Sequence, residues 1–319
     1  MSEPVRVGVL GCADIAVRRM LPGFEAAADT EIAAVASRSP QKAWRVADRF
    51  GARAVHGYAE LLGLPEVDAV YVPLPAALHE RWATAALEAG KHVLVEKPAA
   101  WDADRAGRLF DLARGRGLAL MENVLFIHHP LHDTVRGLVA GGAIGELRAF
   151  HAAFTIPALP HADIRYRPGL GGGALADVGL YPLRAAQHFL GPDLDVVGAE
   201  LTRGPDHEVE TAGAVLLRTP RGRTAQVTFG MDHAYVSRYE LWGSAGRITV
   251  DRAFTPPAHV APVIGIHRAR DHETVRCEPH DQVAAAIAAF VAAVRSGGAP
   301  AAATVSQARL LDDVRSRAA

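Results

Sequence analysis

Val5-Arg-Val-Gly-Val-Leu-Gly11-Cys-Ala-Asp-Ile-Ala16 is a short apolar run, then a glycine, then the start of a helix-forming stretch. A glycine between a strand and a helix leaves free backbone N–H groups and the positive helix end where a pyrophosphate can rest. The fingerprint is imperfect, because Ala13 and Ala16 stand where the second and third glycines belong; both are small enough to permit close backbone approach. The expected cofactor contacts of the turn are Gly11, Cys12, Ala13, Asp14 and Ile15.

Working outward, apolar runs at Val5–Leu10, Glu31–Ala36, Ala69–Val72, His92–Val95 and Leu118–Met121 alternate with helical patterns near 14–27, 40–50, 78–90 and 102–116. Strand and helix in that rhythm predict βαβ units, a parallel sheet with helices on both faces. After Asn123 the rhythm changes. Runs at 146–156, 194–203, 211–219, 223–231, 236–243, 246–251 and 259–268 follow one another with short turns, interrupted by a helix over 174–190 and closed by helices over 281–296 and 304–316. Ala225, Val227, Phe229 and Met231 alternate with polar partners, the period of a half-buried antiparallel strand. The expectation is an α/β dinucleotide-binding domain over 1–123 and an α+β domain with a predominantly antiparallel sheet over 124–319.

Composition excludes several classes. Lys+Arg 34 against Asp+Glu 35 gives a formal charge of −1, so no basic face is implied and nucleic acid is not an expected partner. No apolar stretch approaches the ~20 residues of a membrane span, and the expected setting is cytoplasmic. Cys12 and Cys277 stand far apart with no metal or redox spacing; His128, His129 and His132 lack a convincing ligand set, and no metal is expected.

Three positions speak to chemistry. At the end of the second strand, Ala36-Ser37-Arg38-Ser39 contains no acid to hold a ribose 2′-hydroxyl; Ser37 and Arg38 suit a 2′-phosphate, so NADPH is expected over NADH. Among the cationic side chains only Lys42, Lys91 and Lys97 are lysines. Lys97 sits at the end of an apolar strand, in Val-Leu-Val-Glu-Lys-Pro (93–98), where an ammonium can do what a guanidinium cannot: lose a proton. Lys91 reads as a solvated charge. The glycine turn Gly171-Gly-Gly feeds a helix that places Asp177 and Tyr181 four apart, on one face.

The Gly11 turn, Glu96-Lys97-Pro98, His128-His129-Pro130 and Gly171-Gly-Gly-x-Leu-x-Asp177-x-Gly-x-Tyr181-Pro182 together resemble the glucose-fructose oxidoreductase, inositol dehydrogenase and rhizopine catabolism family (Gfo/Idh/MocA). Gly11-Cys-Ala-Asp-Ile-Ala, Phe154-Thr-Ile-Pro, Asp163-Ile-Arg-Tyr166 and Phe229-Gly-Met-Asp-His-Ala-Tyr235 are most similar to its nucleotide-sugar 3-ketoreductases. Inositol-type members usually carry His where this chain has Tyr181, and an acid near Arg38; both departures point away from an NAD-linked polyol dehydrogenase. The resemblance implies a Rossmann domain, an open-sheet domain and NADPH-dependent reduction of a 3-keto sugar. Tyr181 is then the proton donor, Lys97 its cationic neighbour and Asp177 the residue that orients the sugar or tethers Lys97. Arg165 contacts the sugar or nicotinamide, and Leu74, Pro75, His79 and Glu96 complete the cofactor side. A nucleotide-sugar substrate and a homodimer or homotetramer are the expected partners. Alternative readings are an NADP-linked sugar or trans-dihydrodiol dehydrogenase and a dinucleotide-sensing regulatory protein.

Overall fold

In the computed structural model, which describes residues 3–298 and 301–318, the chain divides into two units. The first comprises residues up to Val124 and Val283–Val305, the second Leu125–Gln282 and the residues from Ser306. The boundary expected at Asn123 thus lies one residue on. The closing segment departs from expectation, since 283–305 returns to the first unit: Val283 and Ile287 pack against Gly23, and Val305 against the buried core.

The first unit is a six-stranded sheet in the order β3-β2-β1-β4-β5-β6, every pair parallel. Its strands are β1 (Val5–Leu10), β2 (Thr30–Ser37), β3 (Arg53–His56), β4 (Ala69–Val72), β5 (His92–Glu96) and β6 (Leu120–Asn123). The central strands are apolar because both faces are covered: Val7, Val9, Leu10, Val70, Tyr71, Val72, Val93, Leu94 and Val95 are all 0% exposed. β3 escaped the sequence reading because only Val55 of its four residues is buried, as suits an edge strand. The covering helices are α1 (Leu21–Ala26), α2 (Pro40–Arg49), α3 (Tyr58–Leu62), α4 (His79–Glu88) and α5 (Ala103–Gly115). Before α1 the chain widens into a π-helical turn at Ala16–Met20, where the sequence predicts a plain helix. Strand order reverses between β1 and β4, so the crevice of this sheet opens beyond their carboxyl ends.

The second unit begins with α6 (Leu131–Ala140) and builds an eight-stranded sheet ordered β14-β13-β12-β11-β7-β10-β9-β8. The strands are β7 (Leu147–Thr155), β8 (Asp195–Arg203), β9 (Glu210–Arg218), β10 (Thr224–Gly230), β11 (Val236–Gly243), β12 (Gly246–Asp251), β13 (Val263–Arg268) and β14 (Asp271–Arg276). All pairs are antiparallel except β7 with β10. β13 starts later than the predicted 259 because Pro262 precedes it, and β14, polar and almost wholly exposed, carries no apolar alternation to read. One face of the sheet packs under α7 (Leu180–Leu190) through Phe150, Phe154, Phe229 and Tyr239. Val197, Leu216, Trp242 and Val263 lie exposed on its strands. The chain closes with α8 (Gln282–Ser296) and α9 (Ala302–Ala318). No helix among the described residues is long and apolar enough to cross a membrane.

Candidate active site

Each predicted cofactor residue of the first unit falls on or beside the carboxyl end of a strand. Gly11 ends β1 with φ +117°, and its N–H donates to the Ala36 carbonyl at 2.9 Å. A Cβ there would stand 3.0 Å from the Leu74 side chain, so glycine is required both by backbone angle and by the approach of the β4 loop. Cys12 lies under this turn, its Sγ 3.6 Å from the Lys42 carbonyl; burial pushes its thiol pKa up, opposed by a Ser37 hydrogen bond and the Lys42 charge. Asp14 pairs with Arg18 in the open (3.1 Å), beside Ile15 at the helix entry.

At the end of β2, Ser37 is buried and its hydroxyl accepts from the Ser39 N–H at 3.2 Å, while Ser39 caps α2. Arg38 points to solvent. Two residues that the sequence reading left out complete this corner. The Tyr58 hydroxyl meets the Arg38 guanidinium, and it lies 3.9 Å from where a Gly11 Cβ would stand. Burial raises the Tyr58 pKa and Arg38 works against it; its ring is fixed edge-on to Trp82 at 5.0 Å. Lys42 brings a second cation within range of Cys12. Only the folding of β3, whose strand signal is weak, carries Tyr58 here.

Lys97 follows β5, and the Lys97–Pro98 peptide is cis. Its surroundings are fixed by neighbours. Glu96 accepts hydrogen bonds from the Tyr71 hydroxyl (2.7 Å) and the Asn123 amide (2.6 Å), so its carboxylate is tied to the β4 and β6 strands. The Ala99 N–H donates to Glu122 at 2.8 Å. His79, 2% exposed, does not offer a free ring edge: Nδ1 lies 2.8 Å from the Pro98 carbonyl oxygen and Nε2 2.6 Å from that of Leu74. Burial lowers its pKa, while the two carbonyls and Glu96 oppose the shift and Lys97 adds to it. Leu74 and Pro75 remain partly open on the β4 loop. Lys91 corrects the sequence reading, since its ammonium donates at 2.8 Å to both the Leu64 and Val67 carbonyls.

The second unit places Asp177, Arg165 and Tyr181 on adjoining elements. The helix predicted over 174–190 is a π-helical turn at Leu175–Gly179 continued by α7, and Pro182, lacking an N–H for the Val178 carbonyl, sits at the join. Asp177 therefore lies on a widened turn, and the one-face placement with Tyr181 read from an α-helical period does not carry over unchanged. The Asp177 carboxylate accepts from Arg165 Nε at 2.8 Å; Arg165 also pairs with Asp163 at 3.2 Å, and the Asp177 charge is the first of the causes that raise the arginine's pKa. Two of the three glycines serve this arrangement: a side chain at Gly172 would overlap the Arg165 carbonyl, and one at Gly173 the Glu210 carboxylate. The Tyr181 ring is set among Phe126 (5.9 Å), Phe154 (5.0 Å) and Phe254 (6.1 Å).

His129 and His132 are core residues, and His128 is half-buried. His132, 1% exposed, meets the Tyr239 hydroxyl at 3.0 Å; burial, then His188, then His129, takes its pKa to about 3. His188 is lowered to about 4, by burial first and Arg136 next. No group of three or more metal-ligating side chains occurs among the described residues.

Comparison with known proteins follows from this geometry. Residues 5–124 match the oxidoreductase family with an NAD-binding Rossmann fold, and residues 132–249 the GFO/IDH/MocA C-terminal domain. Over 320 residues the chain is 52% identical to dTDP-3,4-didehydro-2,6-dideoxy-alpha-D-glucose 3-reductase of Actinomadura kijaniata, spanning 99% of this chain and 96% of that protein. The crystal structure of KijD10, a 3-ketoreductase from the same organism in complex with NADP and TDP-benzene, superposes with a TM-score of 0.97 at 52% identity, covering 99% of this chain and 98% of that one. Solved variants of it, one with a tyrosine changed to phenylalanine and one with a lysine changed to alanine, give TM-scores of 0.97 and 0.93. The two changed positions are as far apart in that sequence as Lys97 and Tyr181 are in this one.

Proposed function

From the Gfo/Idh/MocA oxidoreductase family, to which this chain belongs over both of its units, we infer an NADP-dependent 3-ketoreductase that reduces the 3-keto group of a dTDP-linked deoxyhexose in deoxysugar biosynthesis. The cofactor fits the residues present. Gly11 leaves the cradle that a Cβ would fill, no carboxylate stands at the end of β2 to repel a 2′-phosphate, and Arg38 with Lys42 supplies cations there.

Bound NADPH supplies the hydride; the protein's own residues must hold the keto sugar and deliver a proton to its oxygen. Tyr181 is the donor. Its ring is braced by three phenylalanines, so the hydroxyl is aimed by packing rather than by a flexible stem. A phenol ionises near pH ~10, and a cation within ~4–6 Å lowers that by ~1–3 units, the service assigned to Lys97. The ammonium also stabilises the oxygen as negative charge grows on it, and general-acid help is worth ~10²–10⁴ in rate. Asp177 accepts from sugar hydroxyls. Two carboxylates facing one guanidinium leave this cluster net negative, so it suits an uncharged sugar and would repel a diphosphate.

The observation that carries this reading is Lys97 on the strand end beside a dinucleotide turn, in a chain that also keeps Tyr181. Absorbance of NADPH is followed with a dTDP-linked 3-keto-2,6-dideoxyhexose generated in situ. Turnover is expected. NADP+-dependent oxidation of free aldoses without keto-sugar reduction would transfer the protein to the sugar dehydrogenases, and quenching of NADPH fluorescence without turnover would make it a sensor. The apolar residues exposed on the strands of the second unit, Val197, Leu216, Trp242 and Val263, support assembly into a homo-oligomer through its sheet.

A further inference from the structure

His79 is a buried side chain that the mechanism leaves unused. Both of its ring nitrogens meet backbone carbonyl oxygens, and the two carbonyls belong to different functional segments. Leu74, at 2.6 Å, is on the loop after β4, whose side chain presses on the Gly11 turn; Pro98, at 2.8 Å, is the residue after Lys97. Glu96 to Tyr71 and Asn123, and Ala99 to Glu122, tie the Lys97 segment to strands β4 and β6. The imidazole lies between that segment and the loop bearing Leu74 and Pro75.

We propose that His79 is a positioning residue: a strut that fixes the distance between the cofactor loop after β4 and the Lys97 turn, so that the ammonium and the nicotinamide ring share one frame. An imidazole suits the task because a flat, short-stemmed ring spans the two carbonyls; both oxygens only accept, so the neutral ring donates its one N–H to one of them and rests its other nitrogen against the second. A misplacement of about 1 Å far from the chemistry can cost ~10²-fold in rate.

The inference rests on the NADPH-dependent reductase reading for its substrate, and the experiment separates the two. His79→Phe keeps a ring and removes its hydrogen bonding; His79→Gln restores an amide donor. Three properties are measured: NADPH affinity, the fluorescence emission of the bound nicotinamide, and single-turnover hydride transfer with its pH profile. For His79→Phe the expected result is an affinity within about 3-fold of wild type, altered nicotinamide emission, hydride transfer slower by about 10- to 100-fold and a displaced alkaline limb, with His79→Gln recovering part of each change. Should the phenylalanine variant fail to fold, the glutamine variant decides alone, its displaced emission and profile supporting the strut. Wild-type emission and rates in a folded variant overturn the proposal; a wild-type His79→Phe beside an impaired His79→Gln would make ring shape rather than hydrogen bonding the cause. A wild-type protein that binds NADPH but reduces no keto sugar would sink the reductase reading, and the emission comparison would still judge the strut.

Discussion

Acid should destabilise the second unit through His132, and the size of the effect can be worked out. The ring is 1% exposed, and burial holds its pKa at about 3, against the opposing pull of the Ala253 backbone, compared with roughly 6.5 in an unfolded chain. A histidine whose folded pKa is depressed binds fewer protons folded than unfolded. Its stabilising contribution is therefore complete above pH ~6.5 and is lost, at ~1.4 kcal/mol per pH unit, as pH falls toward about 3. Between pH 7 and pH 5 the loss is about 2 kcal/mol, a large fraction of the ~5–15 kcal/mol that holds an ordinary domain folded. His188, lowered to about 4, adds to the same slope; being partly open to solvent, it is discounted to about half the shift-based figure, or about 1 kcal/mol. The comparison is wild type against His132→Gln, which keeps a polar group near the Tyr239 hydroxyl and cannot titrate. Urea unfolding at pH 7.0, 6.0 and 5.0 should show the variant's stability falling by about 2 kcal/mol less than that of wild type across the range, whatever its absolute stability. Parallel slopes for the two proteins would refute the assignment, because burial would then not be what keeps this ring neutral.

Arg38→Asp removes a cation and adds a carboxylate where a 2′-phosphate is expected, and should raise the KM for NADPH by at least ~30-fold while leaving that for NADH unchanged or lower; paired steady-state kinetics with the two coenzymes check it, and an unchanged preference removes Arg38 from the site. Tyr181→Phe should retain NADPH binding and lose at least an order of magnitude in kcat, with Lys97→Arg losing as much because a guanidinium does not tune or trade protons; near-normal turnover of either variant, with coenzyme binding intact by fluorescence titration, would contradict the roles given to the pair.

Much of the fold was legible because the first unit buries its strands on both faces. Runs such as Val93-Leu-Val95 have no polar side to disguise them, and the βα rhythm follows. β3 and β14 were not legible for the opposite reason: edge strands with one or no buried residue carry no periodic signal. The return of 283–305 to the first unit is a tertiary choice that helical periodicity cannot encode. For the candidate site, motif spacing points to Gly11, Arg38, Lys97, Asp177 and Tyr181, the residues on which the proposed function rests. It gave no signal for Tyr58, which reaches Arg38 only after β3 folds, and spacing does not say what each side chain touches. Glu96 accepts from Tyr71 and Asn123, His79 lies against two backbone carbonyls, and Asp177 accepts from Arg165.

The scarcity of lysine takes on a different meaning once the three ammonium groups are placed. Lys91 is not kept for proton chemistry: its Nζ converges on the Leu64 and Val67 carbonyls, both at 2.8 Å, a task for a compact charge with several rotatable donors rather than a planar fork. Rarity alone therefore supports two explanations, a titratable amine or a small cation that fits between oxygens. What separates Lys97 from Lys91 is position. Lys91 precedes its strand, on the side away from the crevice, whereas Lys97 follows the same strand, at the end where the Gly11 turn, Leu74 and Arg38 gather. Two lysines bracketing β5 thus mark its structural end and its chemical end, and the case for proton chemistry at position 97 rests on that placement and not on the residue count.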